Sequence, residues 1–428
     1  MLSFGASLRN SPARVSSPAF TRRSGRCGKL RYWLAALPLV AIAAATFEGP
    51  APAKMSSDGG ARLAAPQQQG RWSIDGARQL IEMIDDAAKD GLNPADYHPE
   101  ALRAAITSNS TGAPLDAAAT ASALGLAHDF AYGRIDDKAA FDWHFAPQVD
   151  ASLLAADLEN AVASGQVASW LRTLLPDNEQ YRALKAAYAA TNPSDEAARG
   201  QLRANLERWR WMPRSLGERY IYVNIPSYRL ELIENGVQQA SYNVIVGAPR
   251  TPTPQLALQA QSVVANPSWI LPPSVLKEGG WYRKGYSVSR RSDGSLMVRQ
   301  APGPRNALGR IKIDMPNPMA IYLHDTPHKA AFDRADRALS HGCIRVQNIE
   351  ELAAMLSGGT DLDDALAEPA KTRVLQLQKS VPVYLVYFTA QAEADGTVSL
   401  LADPYRRDQA LLERIGKPGD NPVRMAAR

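Results

Sequence analysis

The chain has 428 residues, 45% of them hydrophobic and 21% charged, with no repeats or long low-complexity tracts, so one large domain or two medium ones can each bury a sizeable core. Its net charge of +5 is uneven: residues 1–53 hold seven Lys/Arg against Glu48, a net of +6, which leaves residues 54–428 near −1. That balance speaks against a nucleic-acid partner, and two cysteines, Cys27 and Cys343, are too few for a disulfide framework.

In chain order, scattered Arg from Arg9 to Arg31, the apolar run Trp33 to Ala45 and the small residues Ala51-Pro52-Ala53 read as a signal peptide over 1–53. The apolar run falls short of the roughly 20 residues a spanning helix needs, so no integral membrane span is expected after cleavage; an uncleaved anchor is the alternative. Cys27 precedes the apolar core, which is not a lipoprotein arrangement, and it leaves with the signal. Residues 54–71, rich in Ala, Gly, Ser and Gln, form a flexible lead-in.

From 72 to 205 the apolar spacing is helical. "SIDGARQLIEMIDDAAKDGL" opens on a Ser/Asp cap and stops at Gly91. His98, His128 and His144 are too far apart for metal-ligand spacing and read as packing or surface residues. From 206 to 410 the period changes to two. "RYIYVNIPSYRLELIENGVQQASYNVIVG" alternates, with the hairpin signal Asn235-Gly236 between two runs, and short strands follow in "QSVVANPSW", "LGRIKIDM", "MAIYLHD" and "PVYLVYFTA". "NIEELAAMLSGG" reads as a helix with a Gly stop, "DDALAEPAKTRVLQL" as the place of another, residues 271–306 as a loop or flap, and 411–428 as a tail. The expected fold class is α+β: a helical scaffold domain, then a mostly antiparallel β domain.

The lone thiol of the mature chain lies in "RALSHGCIRV", and it reads either as a small buried apolar residue or as a chemical group. Its neighbours offer what thiol chemistry needs: His341 and His324 as bases, Arg345 as a fixed cation, and Gly342 where backbone can approach a substrate closely. His324 ends an apolar run and belongs at a strand end, whereas His328 follows a Pro and reads as solvated. A Cys/His metal site would want four ligands in paired spacing, which this stretch lacks, so no metal or cofactor is expected.

"HDTPHKAAFDRADRALSHGCIRV" resembles the signature of the L,D-transpeptidases with a YkuD-type domain: a histidine, fifteen residues, then Ser340-His341-Gly342-Cys343, a branched apolar residue and Arg345. "NLERWRWMP", "YIYVNIPSYRLELIENG", "VIVGAPRTPTP", "NPSWILPPSV" and "NALGRIKIDMPN" are similar to the longer Gram-negative members, and "DGLNPADYHPEAL" and "FAYGRID" to their helical scaffold. The small peptidoglycan-binding module usual between the two has no counterpart before Asn205. The resemblance implies an exported periplasmic enzyme with Cys343 as nucleophile and His324 as base, its ring oriented by the backbone carbonyl of Asp325. His341 would support the thiolate or shape the site, Ser340 the local hydrogen bonding, the N–H groups near Gly342 and Cys343 the oxyanion, and Arg345 would grip a substrate carboxylate or brace the loop. Peptidoglycan tetrapeptide stems would be donor and acceptor, the product a 3→3 cross-link between diaminopimelate residues with release of D-Ala, and carbapenem β-lactams covalent inhibitors. The same thioester could meet water, as in an L,D-carboxypeptidase, or a lipoprotein lysine, as in wall anchoring. Another cysteine hydrolase of peptides, and a wall-binding protein without activity, are the remaining readings.

Overall fold

The computed structural model describes residues 71–146, 153–282 and 284–416; the expected signal segment, the lead-in before Arg71 and the tail beyond Gly416 lie outside them. Helix α1 (Ile74–Asp86) starts where the Ser73 hydroxyl accepts the N–H of Gly76 at 3.0 Å, and it buries Leu80, Ile81 and Ile84 at helical spacing. With α2 (Pro99–Thr107), α3 (Ala113–Tyr132), α4 (Leu154–Ala163) and α5 (Val167–Thr173) it encloses one core around Leu80, Leu102, Leu126, Phe130 and Leu171. Two further helices, α6 (Glu179–Ala190) and α7 (Glu196–Trp211), form a second core with Leu184, Leu206 and Trp209 that extends to Val386 and Phe388 of the β domain.

Helix α7 joins the two halves with opposite faces. Toward the β domain, Asn205 exchanges two hydrogen bonds with Thr389, each 2.8 Å, Arg208 pairs with Asp408 at 2.6 Å, and Trp209 stacks on Phe388. Toward the scaffold, the fully buried Glu207 accepts the N–H groups of Arg134 (2.6 Å) and Ile135 (3.1 Å), the Trp211 indole (3.0 Å) and Arg210 Nη2 (2.6 Å). Such a carboxylate stays charged in a core only with its donors complete. Gly133, with φ +79°, is required here because a Cβ would meet Glu207 Oε1.

The β domain is built from β1 (Trp143–His144), β2 (Arg219–Asn224), β3 (Arg229–Glu234), β4 (Val237–Gly247), β5 (Gln255–Ala265), β6 (Trp269–Ile270), β7 (Tyr286–Arg290), β8 (Leu296–Gln300), β9 (Ile311–Asp314), β10 (Leu323–His324), β11 (Ala338–Ser340), β12 (Ile344–Val346) and β13 (Arg373–Val386). The hydrogen-bonded path β5-β13-β2-β3-β4-β12-β10-β9 returns to β5, closing a ring, with β1 added beside β5 and β11 beside β4. Most pairings are antiparallel, as expected, but β13 with β2, β10 with β12, β1 with β5 and β11 with β4 are parallel. Alternate residues, among them Val223, Leu232, Val244, Val263, Ile313 and Val383, fill the interior, and α9 (Ile349–Ser357) and α10 (Thr360–Leu366) add Leu352 and Leu362. Asn235 and Gly236, at φ 51° and 77°, make the two-residue hairpin turn between β3 and β4, both positive as a type I′ turn requires.

Two expectations change. The described residues of 271–306 are more than a loop: helix α8 (Pro273–Glu278) and strands β7 and β8, joined to β6 in one small sheet, pack around Leu271, Trp281 and Val298. The short helix expected in "DDALAEPAKTRVLQL" is there, as the end of α10 over "DDAL", and "RVLQL" with its period-two alternation opens β13. Residues taken as the start of a tail belong to α11 (Arg407–Ile415), which buries Leu411 and Ile415 against α7; the boundaries at 205/206 and 410/411 therefore fall inside α7 and α11.

Glu207→Ala would leave the Arg210 guanidinium and two backbone N–H groups buried without their acceptor, so a loss of about 3–5 kcal/mol is expected. Thermal melting checks it: the midpoint should fall by several degrees, while Glu82→Ala, at an exposed position of α1, should stay within about 0.5 kcal/mol. Equal melting of the two variants would contradict the role given to Glu207.

Candidate active site

The site forms on the outer face of two very short strands. In the parallel pair β10/β12, Leu323 lies beside Ile344 and His324 beside Arg345, while antiparallel β9 places Lys312 on the other side of His324. Leu323, Ile344 and Ile313 point into the core, so the pleat turns Tyr322, His324, Cys343, Arg345 and Lys312 outward together. Ile344 N–H donates to Tyr322 O at 3.1 Å, which sets Cys343 next to Tyr322 in this register.

His324 is buried, and its Nδ1 lies 2.5 Å from the carbonyl oxygen of Asp325. A carbonyl only accepts, so Nδ1 carries the proton and Nε2 is left as an acceptor. Burial, reinforced by the positive charge of Arg345, pushes the pKa of His324 down to about 3, so the ring is neutral in the working range. The Asp325 side chain is anchored separately: its carboxylate accepts Arg310 N–H at 2.9 Å and pairs with Lys329, and it fills the space that a Cβ on Gly309 would need. This is why "GRIK" and "HDTP" occur together in the fold.

Cys343 directs its thiol to the carbonyl of Ala320, 3.5 Å away. Burial raises its pKa; the backbone N–H and hydroxyl of Tyr322, then Lys312 and Arg345, act in the opposite direction. The resting pair is therefore neutral thiol and neutral imidazole, with donors already placed for the thiolate. Tyr322 was not singled out by sequence, although its place two residues before His324 in "IYLH" puts it on the same strand face. Its ring lies edge-on to His324 at 5.6 Å and under Lys312 Nζ at 4.6 Å.

The turn before Cys343 is held from below. Ser340 Oγ donates to Cys343 O at 2.6 Å and accepts Gly342 N–H at 3.1 Å, so that N–H is engaged within the turn. Gly342 has φ +112°, a conformation side chains rarely adopt. Thr253 Oγ1 donates to Gly342 O at 2.7 Å and accepts Gly247 N–H at 2.8 Å, and the Tyr405 hydroxyl donates to Gly247 O at 2.7 Å. His341 is turned away from this network: it is 44% exposed, and its Nε2 lies 2.7 Å from Glu278 at the end of α8. Arg345 Nε is buried without a hydrogen-bond partner among the described residues. His328 is exposed, on the loop after the site. On the far side of the turn, a cleft of about 560 Å³ runs between the scaffold residues Phe141 and Asp142, Pro252, Ile321 and Arg406.

Fold and site thus define a helical domain carrying a cysteine–histidine β domain. Residues 218–375 match the family model of the L,D-transpeptidase catalytic domain, YkuD, and residues 67–187 match that of the Scaffold domain. The chain carries a YkuD L,D-transpeptidase catalytic domain and a Scaffold domain. A Haemophilus influenzae protein described as a candidate L,D-transpeptidase is 31% identical over 284 residues, which cover 59% of this chain and 57% of that protein; the match thus spans little more than half of the relative's length. Among solved structures, the catalytic domain of the Enterococcus faecium L,D-transpeptidase acylated by ertapenem is 15% identical, with 40% of this chain and 99% of that chain covered and a TM-score of 0.23. An L,D-transpeptidase from Mycobacterium smegmatis is 13% identical, with 40% and 58% covered and the same TM-score.

A neutral resting pair has a kinetic signature. Alkylation of Cys343 by iodoacetamide, followed by intact mass, should accelerate with pH up to and beyond about 9, the ordinary thiol range from which burial raises it. A rate already at its plateau at pH 6 would reveal a preformed thiolate–imidazolium pair and contradict this assignment.

Proposed function

We propose that the protein is a peptidoglycan L,D-transpeptidase that forms 3→3 cross-links through a thioester on Cys343. The observation that carries this reading is the shared outer face of β10 and β12, where the thiol, the acceptor nitrogen of a fixed neutral imidazole, a phenol and a partnerless guanidinium nitrogen converge. As Sγ attacks the carbonyl carbon of the third stem residue, His324 Nε2 takes the thiol proton. The developing oxyanion is held by the Tyr322 hydroxyl and by backbone N–H at Cys343, the Gly342 N–H being committed to Ser340 Oγ. Collapse breaks the bond to the terminal D-Ala, whose amine leaves with the proton from Nε2, and the thioester remains.

In the second half, the amine on the D-centre of a neighbouring stem's diaminopimelate loses a proton to Nε2 and attacks the thioester carbon. Sγ leaves and is reprotonated. Arg345 holds a substrate carboxylate through its unpaired side. His341, joined to Glu278, positions the α8 segment beside the turn and does not touch the reacting atoms. The acceptor need not be an amine of a stem: water would give a carboxypeptidase, and a lipoprotein lysine would give wall anchoring. No helix of the described residues is long and apolar enough to cross a membrane, and the reading places the enzyme in the periplasm by way of residues 1–53.

Incubation with disaccharide-tetrapeptide fragments of diaminopimelate-type wall tests the proposal by product mass. A dimer lighter by one alanine than two amide-linked tetrapeptides, absent with Cys343→Ala, is the expected result. Tripeptide monomer as the sole product would replace transpeptidation by hydrolysis. Tyr322→Phe should slow carbapenem acylation of Cys343 by about a hundredfold to a thousandfold while the protein stays folded, as loss of one placed donor does. An unchanged rate would remove Tyr322 from the mechanism.

A further inference from the structure

Charge in this chain is concentrated where the fold is thinnest. Residues 271–306 hold seven Lys/Arg against Glu278 and Asp293, a net of +5, while residues 54–428 together are near −1, so everything outside the segment is about −6. Glu278 is already engaged by His341. Lys277, Lys284, Arg290, Arg291, Arg299 and Arg305 are exposed, and none forms an ion pair among the described residues. Exposed cations elsewhere are mixed: Arg103 pairs with Asp85, Arg310 with Glu350 and Lys371 with Glu368, while Arg78, Arg250, Arg334 and Lys379 form no ion pair among the described residues, so it is the local density of charge that sets this segment apart. These like charges, on α8, on β7 and β8 and in the adjoining turns, repel one another, with Asp293 near Arg291 as partial relief, and an anionic partner would relieve the rest.

Register shows how they are presented. Central strand β8 pairs Arg299 with Ile270 on one side and Ser287 on the other, placing these three on the face opposite Val298, which is buried against Leu271 and Trp281. The exposed residues divide between the faces: Ile270 lies with Arg299, whereas Val288, Leu296 and its partner Arg290 follow the Val298 row, so the two strand cations flank the sheet on opposite faces. Ile270 is the exposed large apolar residue beside Arg299, too little for an apolar wedge of the kind that enters a bilayer. The sheet also leads to the site, since Trp269 of β6 adjoins the Tyr322 hydroxyl and α8 reaches His341, and Lys312 and Arg345 continue the positive charge toward Cys343.

We propose that the exposed cationic surface around the β6-β8-β7 sheet, from Lys277 of α8 to Arg305, is a docking surface for a polymer bearing many carboxylates, namely the stem peptides of the wall, held there while one stem enters the site. This rests on the transpeptidase reading. Docking of this kind is electrostatic and is screened by salt.

Co-sedimentation of the purified protein with intact peptidoglycan sacculi tests it. Binding should weaken steeply between about 0.1 M and about 1 M NaCl, where the Debye length drops from about 10 Å to about 3 Å. The double variant Arg291→Glu, Arg299→Glu should bind about three- to tenfold more weakly, and Arg291→Gln, Arg299→Gln should fall between. Sacculus binding equal to wild type in the Glu variant, or insensitive to salt, would overturn the proposal. So would reversal variants that lose binding to vesicles containing phosphatidylglycerol while keeping sacculus binding, since the surface would then serve a membrane. Adduct formation between wild type and a carbapenem, read in parallel by intact mass, separates the two claims. A missing adduct on Cys343 would count against the thioester chemistry, and the sacculus result would still decide the docking surface.

Discussion

The chemistry of this protein hangs on the parallel pairing of a two-residue strand with a three-residue one. Leu323 against Ile344 anchors both segments in the core, and from that register His324, Arg345, Cys343 and Tyr322 emerge on the same outer face. A slip of one residue would turn every one of those side chains inward. Two such strands cannot hold a register by themselves, so their surroundings impose it: β9 and β4 flank them in the ring, and both are longer and well paired.

The bracing extends well beyond the site. Gly342 is held through Thr253 and Gly247 to Tyr405, which stacks on Tyr387, and Arg407 of α11 lies over both rings. Gly247 carries no side chain because a Cβ there would run into Thr251 O, and that close approach keeps the "GAPRTPT" loop under the catalytic turn. The same region meets α7, where Arg208 reaches Asp408 and lies over Tyr387. A continuous set of contacts therefore runs from the buried Glu207 in the scaffold to the carbonyl of Gly342. Placing catalytic groups on a rigid support of this kind lowers the reorganisation needed at reaction.

Much of this was legible in the amino-acid pattern, for physical reasons that also set the limits. The change from helical to alternating period near residue 206 marks the domain change, although α7 continues to Trp211 because its polar residues are spent on buried contacts rather than on solvent. Asn235-Gly236 specifies its turn locally and is found there. "MAIYLHD" reads as one strand, yet only Leu323 and His324 join the ladder, since Ala320 at φ 54° bends the chain to bring its carbonyl to the thiol. That bend depends on Asn317, whose side chain bonds both N–H and C=O of Ile321, a contact that no periodicity reveals. His341 looked like a partner of Cys343 from its adjacency, but two residues apart on a turn is no guide to direction, and it faces Glu278 instead. Tyr322 and Lys312 were within reach of sequence reasoning: each occupies the outward position of an alternating run beside His324.

The account stands on Cys343 as the carrier of an acyl group. Rapid mixing with disaccharide-tetrapeptide, acid quench and intact mass with peptide mapping measures this directly. The expected species is the protein plus the donor less its terminal D-Ala, located on the peptide containing Cys343 and accumulating when acceptor is scarce. Turnover of the donor with no mass gain on that peptide, or with the gain on another residue, would contradict it.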